Sequence, residues 1–392
     1  MRHLLLAAAG AFALAAGILA PAAQAQVRGV SDTEIIIGTY TDLSGVTVSW
    51  GVNNSNAIRM AFDEVNAAGG IHGRKIRYIV EDNQYQVPRS IQAANKLINR
   101  DNVFVMIANG GTPMNNAVMP DQLAKGVPNI FPLTSARSMY EPFHKLKFGL
   151  VSSYYDQMRA AVKLLVETRG KKALCAMYQD TDFGRDVMDG VRAQMEAMNL
   201  KLAGETAHKP TDADFSASVA RLRDAKCDVL LLGTIVRDTN QIVGSVRKIG
   251  WDVEIMANIA AYDSAVADVP GGVTEGVFVM TSIEFVGAND QRPPVQAFLK
   301  NYKDKFGRDP NFAAQIGYTA AYVMMEGFKN AGRNLTLDSF IAGMEAIKDY
   351  KDIFGSPPMS FGPTVRQGSN MSLVAVVKGG KWVLALPNPV GY

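Results

Sequence analysis

Histidine and cysteine, which often bind metals or act as acids, bases or nucleophiles, are few in this sequence and stand far apart. His72, His144 and His208 have no cysteine or carboxylate at the spacing of a metal-ligand set. The motifs G-x-S-x-G, G-x-x-x-x-G-K-S/T and G-x-G-x-x-G do not occur, and the carboxylates are dispersed as on a solvated surface. We therefore predict no metal site, no cofactor and no catalytic centre, and we expect a protein that is not an enzyme.

Two cysteines, Cys175 and Cys227, are the only residues that could form a disulfide. Each lies within or beside an apolar run, which favours two buried thiols. An oxidising compartment permits a disulfide between them, but sequence alone does not place their Cα atoms within bridging distance. We therefore expect buried thiols and keep the disulfide as the alternative.

Short apolar runs alternate with helical patterns in the first part of the chain, and these elements would position any binding groups. The runs at 34–40, 77–82 and 103–109 predict strands, and the segments at 53–68 and 88–100 predict helices. This alternation is typical of a parallel sheet that is covered by helices.

A second set of alternating elements follows and predicts a second doubly wound unit. Its predicted elements are, in order, 173–178, 185–198, 214–225, 229–233, 239–249 and 254–258. The runs at 229–232 and 277–280 are apolar on both faces, as strands must be when helices cover each side of the sheet.

The last third of the chain predicts further helices and a final pair of strands. Helices at 295–306 and 312–331 need a sheet to cover, which suggests that the chain returns to the first unit after about Thr281. Residues 371–386 predict two strands around the Gly379–Gly380 turn.

The first residues of the chain have the pattern of a cleavable signal peptide. Arg2 precedes an apolar run from Leu4 to Ala20, and the small-residue triplet 23–25 follows. An uncleaved membrane anchor is the alternative, but the run is alanine-rich and short for a membrane span. We predict export and cleavage after Ala25, with Gln26 offering no thiol for lipid attachment.

The chain is long and nearly balanced in charge. About 367 residues remain after cleavage (392 − 25), more than the roughly 250–300 at which one core usually divides. Lys and Arg number 40 against 37 Asp and Glu, and no basic block stands out. We therefore predict two lobes and no nucleic-acid partner.

Three segments carry a resemblance to a known family. They are Ile36–Gly51 (IIGTYTDLSGVTVSWG), Ala61–Ile76 (AFDEVNAAGGIHGRKI) and Tyr178–Asp186 (YQDTDFGRD). The chain resembles the leucine/isoleucine/valine-binding family, type I periplasmic binding proteins that serve ABC importers. The resemblance implies an α/β fold of two doubly wound parallel-sheet lobes joined by three crossover segments. A small-molecule solute would bind in the cleft at the carboxyl ends of the strands.

The resemblance also implies how the chain is divided into lobes, how it binds the solute and which protein is its partner. We predict an N-terminal lobe of residues 26–149 plus 282–355 and a C-terminal lobe of 150–281 plus 356–392. The solute would bind mainly to the first lobe, and the second lobe would rotate over it. An inner-membrane ABC permease would be the partner, and the protein would act in the periplasm as a monomer.

Family binding positions in the first lobe fall on three loops. An aromatic residue that precedes a glycine is matched by Trp50, which would cover the ligand. Two carboxylate-binding loops of the family fall on 109–112 and 132–136, where Thr112 and Ser135 offer hydroxyl groups. A purely structural turn is the alternative for the loop at 109–112. The first-lobe candidates are Trp50, Gly111, Thr112, Leu133, Thr134 and Ser135.

The second-lobe candidates are Phe183, Val236 and Ile259. Phe183 matches the family's second aromatic residue before a glycine, with packing in the core as the alternative. Around Gly233 the family often has aromatic residues, whereas this chain has Thr234, Ile235 and Val236, so the pocket wall here would be aliphatic. Arg237 could pair with an anionic ligand or be a solvated arginine at the start of a helix.

Ile259 is the departure from the family with the largest consequence. Amino-acid binders of the family place a carboxylate at this position against the ammonium group of the ligand. An ammonium group that is desolvated without an opposite charge costs several kcal/mol, so Ile259 argues against an amino acid. Asp263 could substitute if the loop is shifted. We predict a hydrophobic carboxylate ligand, aromatic or aliphatic, with an amino acid as the alternative.

Two other classes of protein remain as rival hypotheses. The same bilobed fold also serves ligand-sensing receptors, because fold alone does not determine function. No membrane helix or fused signalling domain follows in the sequence, which makes a receptor less expected. A periplasmic hydrolase would need a nucleophile and a base that converge in the cleft, and no such pair is recognisable.

Overall fold

The structure is a computed structural model that describes residues 27–392. The predicted signal peptide and its cleavage site after Ala25 lie outside these residues. In the described part of the chain, no helix is both long enough and apolar enough to cross a membrane.

The first lobe is built on a five-stranded parallel sheet. Its strands are β1 (Glu34–Thr41), β2 (Lys75–Asp82), β3 (Val105–Ile107), β4 (Asn129–Ile130) and β5 (Lys147–Phe148). The helices between them are α1 (Val48–Ala67), α2 (Val87–Asn95) and α3 (Thr112–Ala124). The spatial order is β2-β1-β3-β4-β5, with all neighbours parallel. The order reverses at β1, and such a switch point in a parallel sheet opens a crevice at the carboxyl ends of the strands.

The second lobe is built on a seven-stranded sheet. Its strands are β6 (Leu174–Gln179), β7 (Gly204–His208), β8 (Val229–Gly233), β9 (Glu254–Ala257), β10 (Phe278–Thr281), β11 (Leu373–Lys378) and β12 (Lys381–Leu384). Its helices are α4 (Tyr154–Lys163), α5 (Asp182–Ala197), α6 (Ser216–Asp224), α7 (Val236–Lys248) and α8 (Ser264–Ala267). β6–β10 are parallel, and β11 and β12 add an antiparallel edge in the order β12-β11-β10-β9-β8-β6-β7. The predicted α/β class with two mostly parallel sheets is confirmed.

Three later helices return to the first lobe. They are α9 (Pro293–Phe306), α10 (Phe312–Ala331) and α11 (Leu337–Glu345). Helix α10 lies close against α1, because a Cβ on Gly317 would stand only 2.5 Å from the carbonyl oxygen of Asn54. The Asn54 side-chain amide also donates to the carbonyl of Ala313 at 3.0 Å. The chain therefore leaves the second lobe after β10 and covers the first sheet.

Residues 356–371 pack against the first lobe, although the predicted division placed them in the second. The ring of Phe361 lies 5.5 Å from that of Phe131 and 5.6 Å from that of Phe148. The amide of Gly149 also donates to the carbonyl of Arg366 at 2.7 Å. The apolar surface beside β4 and β5 holds this segment, so the final crossing to the second lobe falls near Ser372 rather than at residue 356.

Three serines join the three crossover segments between the lobes. The Ser152 hydroxyl lies 3.0 Å from the hydroxyl of Ser282 and 3.0 Å from that of Ser372. All three side chains are buried, and each stands on a different crossover. Buried hydroxyls need hydrogen-bond partners, so this shared cluster fixes the three segments side by side.

The two cysteines form a disulfide, and the expectation of two free thiols was wrong. Cys175 lies on β6 and Cys227 lies just before β8, with their Cα atoms 5.7 Å apart. Strands β6 and β8 are direct neighbours, with Cys175 opposite Leu230, and this pairing brings the two cysteines together. Apolar surroundings in the sequence indicated burial, but only the strand order determines the distance.

Candidate functional site

A cleft between the two lobes opens at the carboxyl ends of the parallel strands. All nine residues predicted as ligand contacts line this cleft: Trp50, Gly111, Thr112, Leu133, Thr134, Ser135, Phe183, Val236 and Ile259. The free space between the lining residues, counted out to the open mouth, is about 1050 Å³. The lining is mostly apolar with a few polar groups, as in clefts that bind small organic molecules.

Residues in the left-handed backbone region turn the first-lobe chain into the cleft. Tyr85, Ala108 and Phe131 have φ angles of 55°, 53° and 49°, and each follows the end of a strand. This region costs free energy for residues other than glycine, and such strained residues concentrate at functional sites. The loops after β2, β3 and β4 therefore have fixed, unusual paths where they meet the ligand space.

A cluster of hydrogen-bond donors occupies the first-lobe wall of the cleft. The hydroxyl oxygens of Thr112 and Thr134 are 2.6 Å apart. Helix α3 begins at Thr112, and its first-turn amides at Thr112 and Met114 have no acceptor within the helix. The side chain of Asn115 donates to the carbonyl of Gly111 at 2.8 Å and so fixes the turn. Amide groups, hydroxyl groups and the positive end of a helix dipole together suit a carboxylate.

Two aromatic side chains cover opposite sides of the cleft. Trp50 lies in the first turn of α1 and contacts the ring of Phe312 edge-on at 5.8 Å. Phe183 lies in the first turn of α5 and contacts the ring of Tyr154 edge-on at 5.0 Å. Trp50 is half-buried and Phe183 is 2% exposed, so Phe183 contributes to the core as well as to the cleft wall.

Sequence reasoning missed three tyrosines that line the cleft. Tyr85, Tyr140 and Tyr154 stand on three different segments that share no spacing pattern. Burial raises the pKa of each tyrosine, so all three stay protonated at neutral pH. They can donate hydrogen bonds to a ligand oxygen without adding charge.

Among residues 27–392, the side chains that line the cleft are all uncharged. No Asp, Glu, Lys, Arg or His side chain lines it. Ile259 is buried in the wall, and its amide donates to the Gln157 side chain at 3.1 Å. A ligand ammonium group would therefore meet no carboxylate at this position.

The two charged residues that the sequence offered as ligand partners have other contacts. The carboxylate of Asp263 accepts hydrogen bonds from the amide of Ala265 and from the side chain of Asn311, both at 2.8 Å. Arg237 donates to Asp238 at 2.8 Å and to the carbonyl of Pro210 at 2.6 Å. Neither Asp263 nor Arg237 lines the cleft, so the structure supports neither as a ligand-binding charge.

Comparison with known proteins agrees with this architecture. Residues 34–381 match the protein family described as periplasmic binding protein. The chain belongs to the periplasmic binding protein family. This match spans both sheets and the cleft between them.

Curated relatives of this periplasmic binding protein are amino-acid-binding proteins by name. The leucine-, isoleucine-, valine-, threonine- and alanine-binding protein of Pseudomonas aeruginosa is 22% identical over 293 residues, 74% of this chain and 76% of its own. The leucine-specific-binding protein of Salmonella typhimurium is 24% identical over 343 residues, 86% of this chain and 87% of its own. The predicted membership of the leucine/isoleucine/valine-binding family is confirmed.

A solved structure shows the same fold. The fatty acid ABC transporter substrate-binding protein from Thermomonospora curvata superposes with a TM-score of 0.82 at 24% identity. The match covers 92% of this chain and 93% of that chain.

Within residues 27–392, no group of three His, Cys, Asp or Glu side chains is arranged to hold a metal ion.

Replacing Trp50 by alanine, or Phe183 by leucine, is expected to weaken ligand binding by about 1–3 kcal/mol, because each change removes apolar contact area. Isothermal titration with a carboxylic acid that stabilises the wild type measures the loss. Phe143→Ala is the matched control, since Phe143 is an aromatic residue that is 56% exposed and does not line the cleft. Unchanged affinity in both cleft variants would contradict the assignment of this wall.

Proposed function

We propose that this periplasmic binding protein traps a hydrophobic carboxylate, aromatic or aliphatic, and presents it to an ABC permease in the inner membrane. The observation that carries the proposal is a cleft wall that, among residues 27–392, has no charged side chain and includes the amino-terminal end of α3. The curated relatives are named as binding proteins, and we propose transport without catalysis.

The donor cluster supports a carboxylate as the polar group of the ligand. Thr112, Thr134 and Ser135 offer hydroxyl groups, and the first turn of α3 adds amide donors. Hydrogen bonds from such donors to an anion are stronger than those to a neutral acceptor. A carboxylate bound here is neutralised by dipoles, so no arginine or lysine is required.

The apolar wall supports a hydrophobic body for the ligand. Leu133, Val236 and Ile259 contribute aliphatic surface, and Trp50 and Phe183 contribute aromatic surface from the two lobes. The similarity to a fatty acid binder supports an aliphatic acid as one form of the ligand. An amino acid is the second candidate, and the names of the curated relatives favour it.

Closure of the second lobe over the ligand would be the transport signal. Two polar contacts cross the rim, from Asn116 to Asp182 at 2.9 Å and from Arg137 to Asp186 at 3.2 Å. Burial raises the pKa of Asp186 to about 6, against the opposing effect of the Arg137 guanidinium. A ligand that touches both lobes favours the closed form by its difference in affinity for the two forms. We propose that this form docks on the permease as a monomer after export and cleavage behind Ala25.

Acids that share a carbon skeleton with an amino acid test the proposal. We expect 4-methylpentanoate and 3-phenylpropanoate to raise the melting temperature of ligand-stripped protein, and leucine and phenylalanine to leave it unchanged. A ligand at about 100 times its Kd stabilises the folded state by roughly 2.7 kcal/mol, which a thermal-shift assay detects. A shift with the amino acids alone would overturn the carboxylate proposal and favour the second candidate.

A further inference from the structure

The cleft extends beyond the donor cluster to the first crossover segment between the lobes. Its inner end is lined by Phe131, Met139, Gly149, Leu150, Val151 and Ile316. None of these residues carries a polar side chain. Residues 149–151 directly follow β5 and lead into Ser152 of the crossover cluster, so this part of the cleft reaches the hinge.

Val151 and Ile316 show that the inner end is a surface between lobes and not the interior of one. Each is only partly buried, and each packs against the apolar clusters of both lobes. Partly buried aliphatic side chains that face an open cavity gain free energy when an apolar ligand covers them.

The wall of this inner end is held by hydrogen bonds that involve no ligand. The amide of Gly149 donates to Arg366, and the carbonyl of Gly149 accepts from the amide of Gly368 at 3.0 Å. The carbonyl of Ser152 accepts from the Gln157 side chain at 2.8 Å. A wall that is already ordered loses little conformational entropy on binding, so contact with it contributes directly to affinity.

We propose that the inner end of the cleft is a tail subsite, which takes the distal part of the ligand. It is defined by Met139, Leu150, Val151 and Ile316. The assignment rests on the proposed function and narrows it. The favoured ligands are carboxylic acids whose apolar part is longer than the side chain of leucine, such as medium-chain aliphatic or arylalkanoic acids. The carboxylate stays at the donor cluster of α3 while the tail lies against the first crossover segment.

Straight-chain carboxylates of increasing length, from butanoate to decanoate, test the tail subsite by isothermal titration. Each buried methylene contributes about 0.8 kcal/mol, so the Kd of the wild type is expected to fall about fourfold per added carbon until the subsite is full. Val151→Phe fills the subsite, so the improvement in Kd with chain length should end at a shorter acid than in the wild type.

Two further variants separate the tail subsite from a general effect on folding. Met139→Ala enlarges the inner end, so the improvement should continue to longer acids, with the melting temperature reporting that the fold is kept. Val365→Phe is the control, because Val365 is 48% exposed and does not line the cleft. Its dependence on chain length should match that of the wild type.

The possible failures are distinguishable. If the wild type binds short acids but gains nothing beyond pentanoate, or if Val151→Phe weakens every acid equally, the tail subsite is wrong and the carboxylate proposal stands. If no acid of any length binds while leucine does, the proposed function itself fails.

Discussion

Replacing both Cys175 and Cys227 by alanine is expected to lower the free energy of unfolding by about 2–4 kcal/mol. The disulfide closes a loop across a sequence separation of 52 residues and so restricts the unfolded chain. Both cysteines are buried, so the bond is shielded from solvent while the protein is folded. Unfolding in guanidinium chloride under oxidising conditions measures the loss.

A reducing agent supplies the control for the disulfide variant. Reduction should shift the unfolding midpoint of the wild type towards that of the double variant and should leave the variant itself unchanged. Ligand affinity should be the same in both proteins, because Cys175 lies at the start of β6 and the cleft lies at its carboxyl end. Equal stability of the oxidised wild type and the variant would contradict a stabilising disulfide.

The sequence predicted the helices and strands of this fold well where apolar side chains repeat. The predicted helix at 53–68 corresponds to α1 (Val48–Ala67), and the predicted helix at 185–198 corresponds to α5 (Asp182–Ala197). Both predictions begin about one turn late. The missed first turns contain Trp50 and Phe183, which both line the cleft, and Phe183 packs in the core as well.

The candidate site was predictable only where it rests on local motifs. The loops with Thr112 and Ser135 could be assigned because the family resemblance implies hydroxyl-bearing loops there, and both residues line the cleft. Tyr85 could not be predicted, because its position depends on a left-handed turn held by the Asn83 side chain at 3.0 Å from the Tyr85 amide. The inner end of the cleft at Val151 was also missed, since it forms only when the two lobes come together.

Long-range contacts also explain the corrections to the lobe division and to the cysteines. Phe361 joins the first lobe through rings that lie more than 200 residues earlier in the chain. Cys175 meets Cys227 because β6 and β8 are neighbours in the sheet. For the cysteines the residue types indicated burial, and only the strand order supplied the partner.

Alanine at Gly51 or Gly184 is expected to destabilise the protein by about 3 kcal/mol and to weaken ligand binding at least tenfold. A Cβ on Gly51 would lie 1.9 Å from the carbonyl oxygen of Asp42, and one on Gly184 would lie 1.9 Å from that of Gln179. These backbone atoms cannot move aside as a flexible side chain can. The helix must shift instead, and it carries the preceding aromatic residue of the cleft with it.

The two glycines make equivalent contacts in the two lobes, which gives a physical reason for an aromatic residue followed by glycine in each. Glycine lets the first helical turn approach the end of a strand, and the aromatic residue is then held at the cleft. Gly244→Ala is the matched control, because this helical glycine has no atom within 4 Å of its Cβ position. We expect that variant to be as stable as the wild type or slightly more stable. Thermal unfolding and isothermal titration compare Gly51→Ala and Gly184→Ala with the Gly244→Ala control. Normal ligand affinity in Gly51→Ala and Gly184→Ala would show that close helix–strand contact does not position the aromatic residues of the cleft.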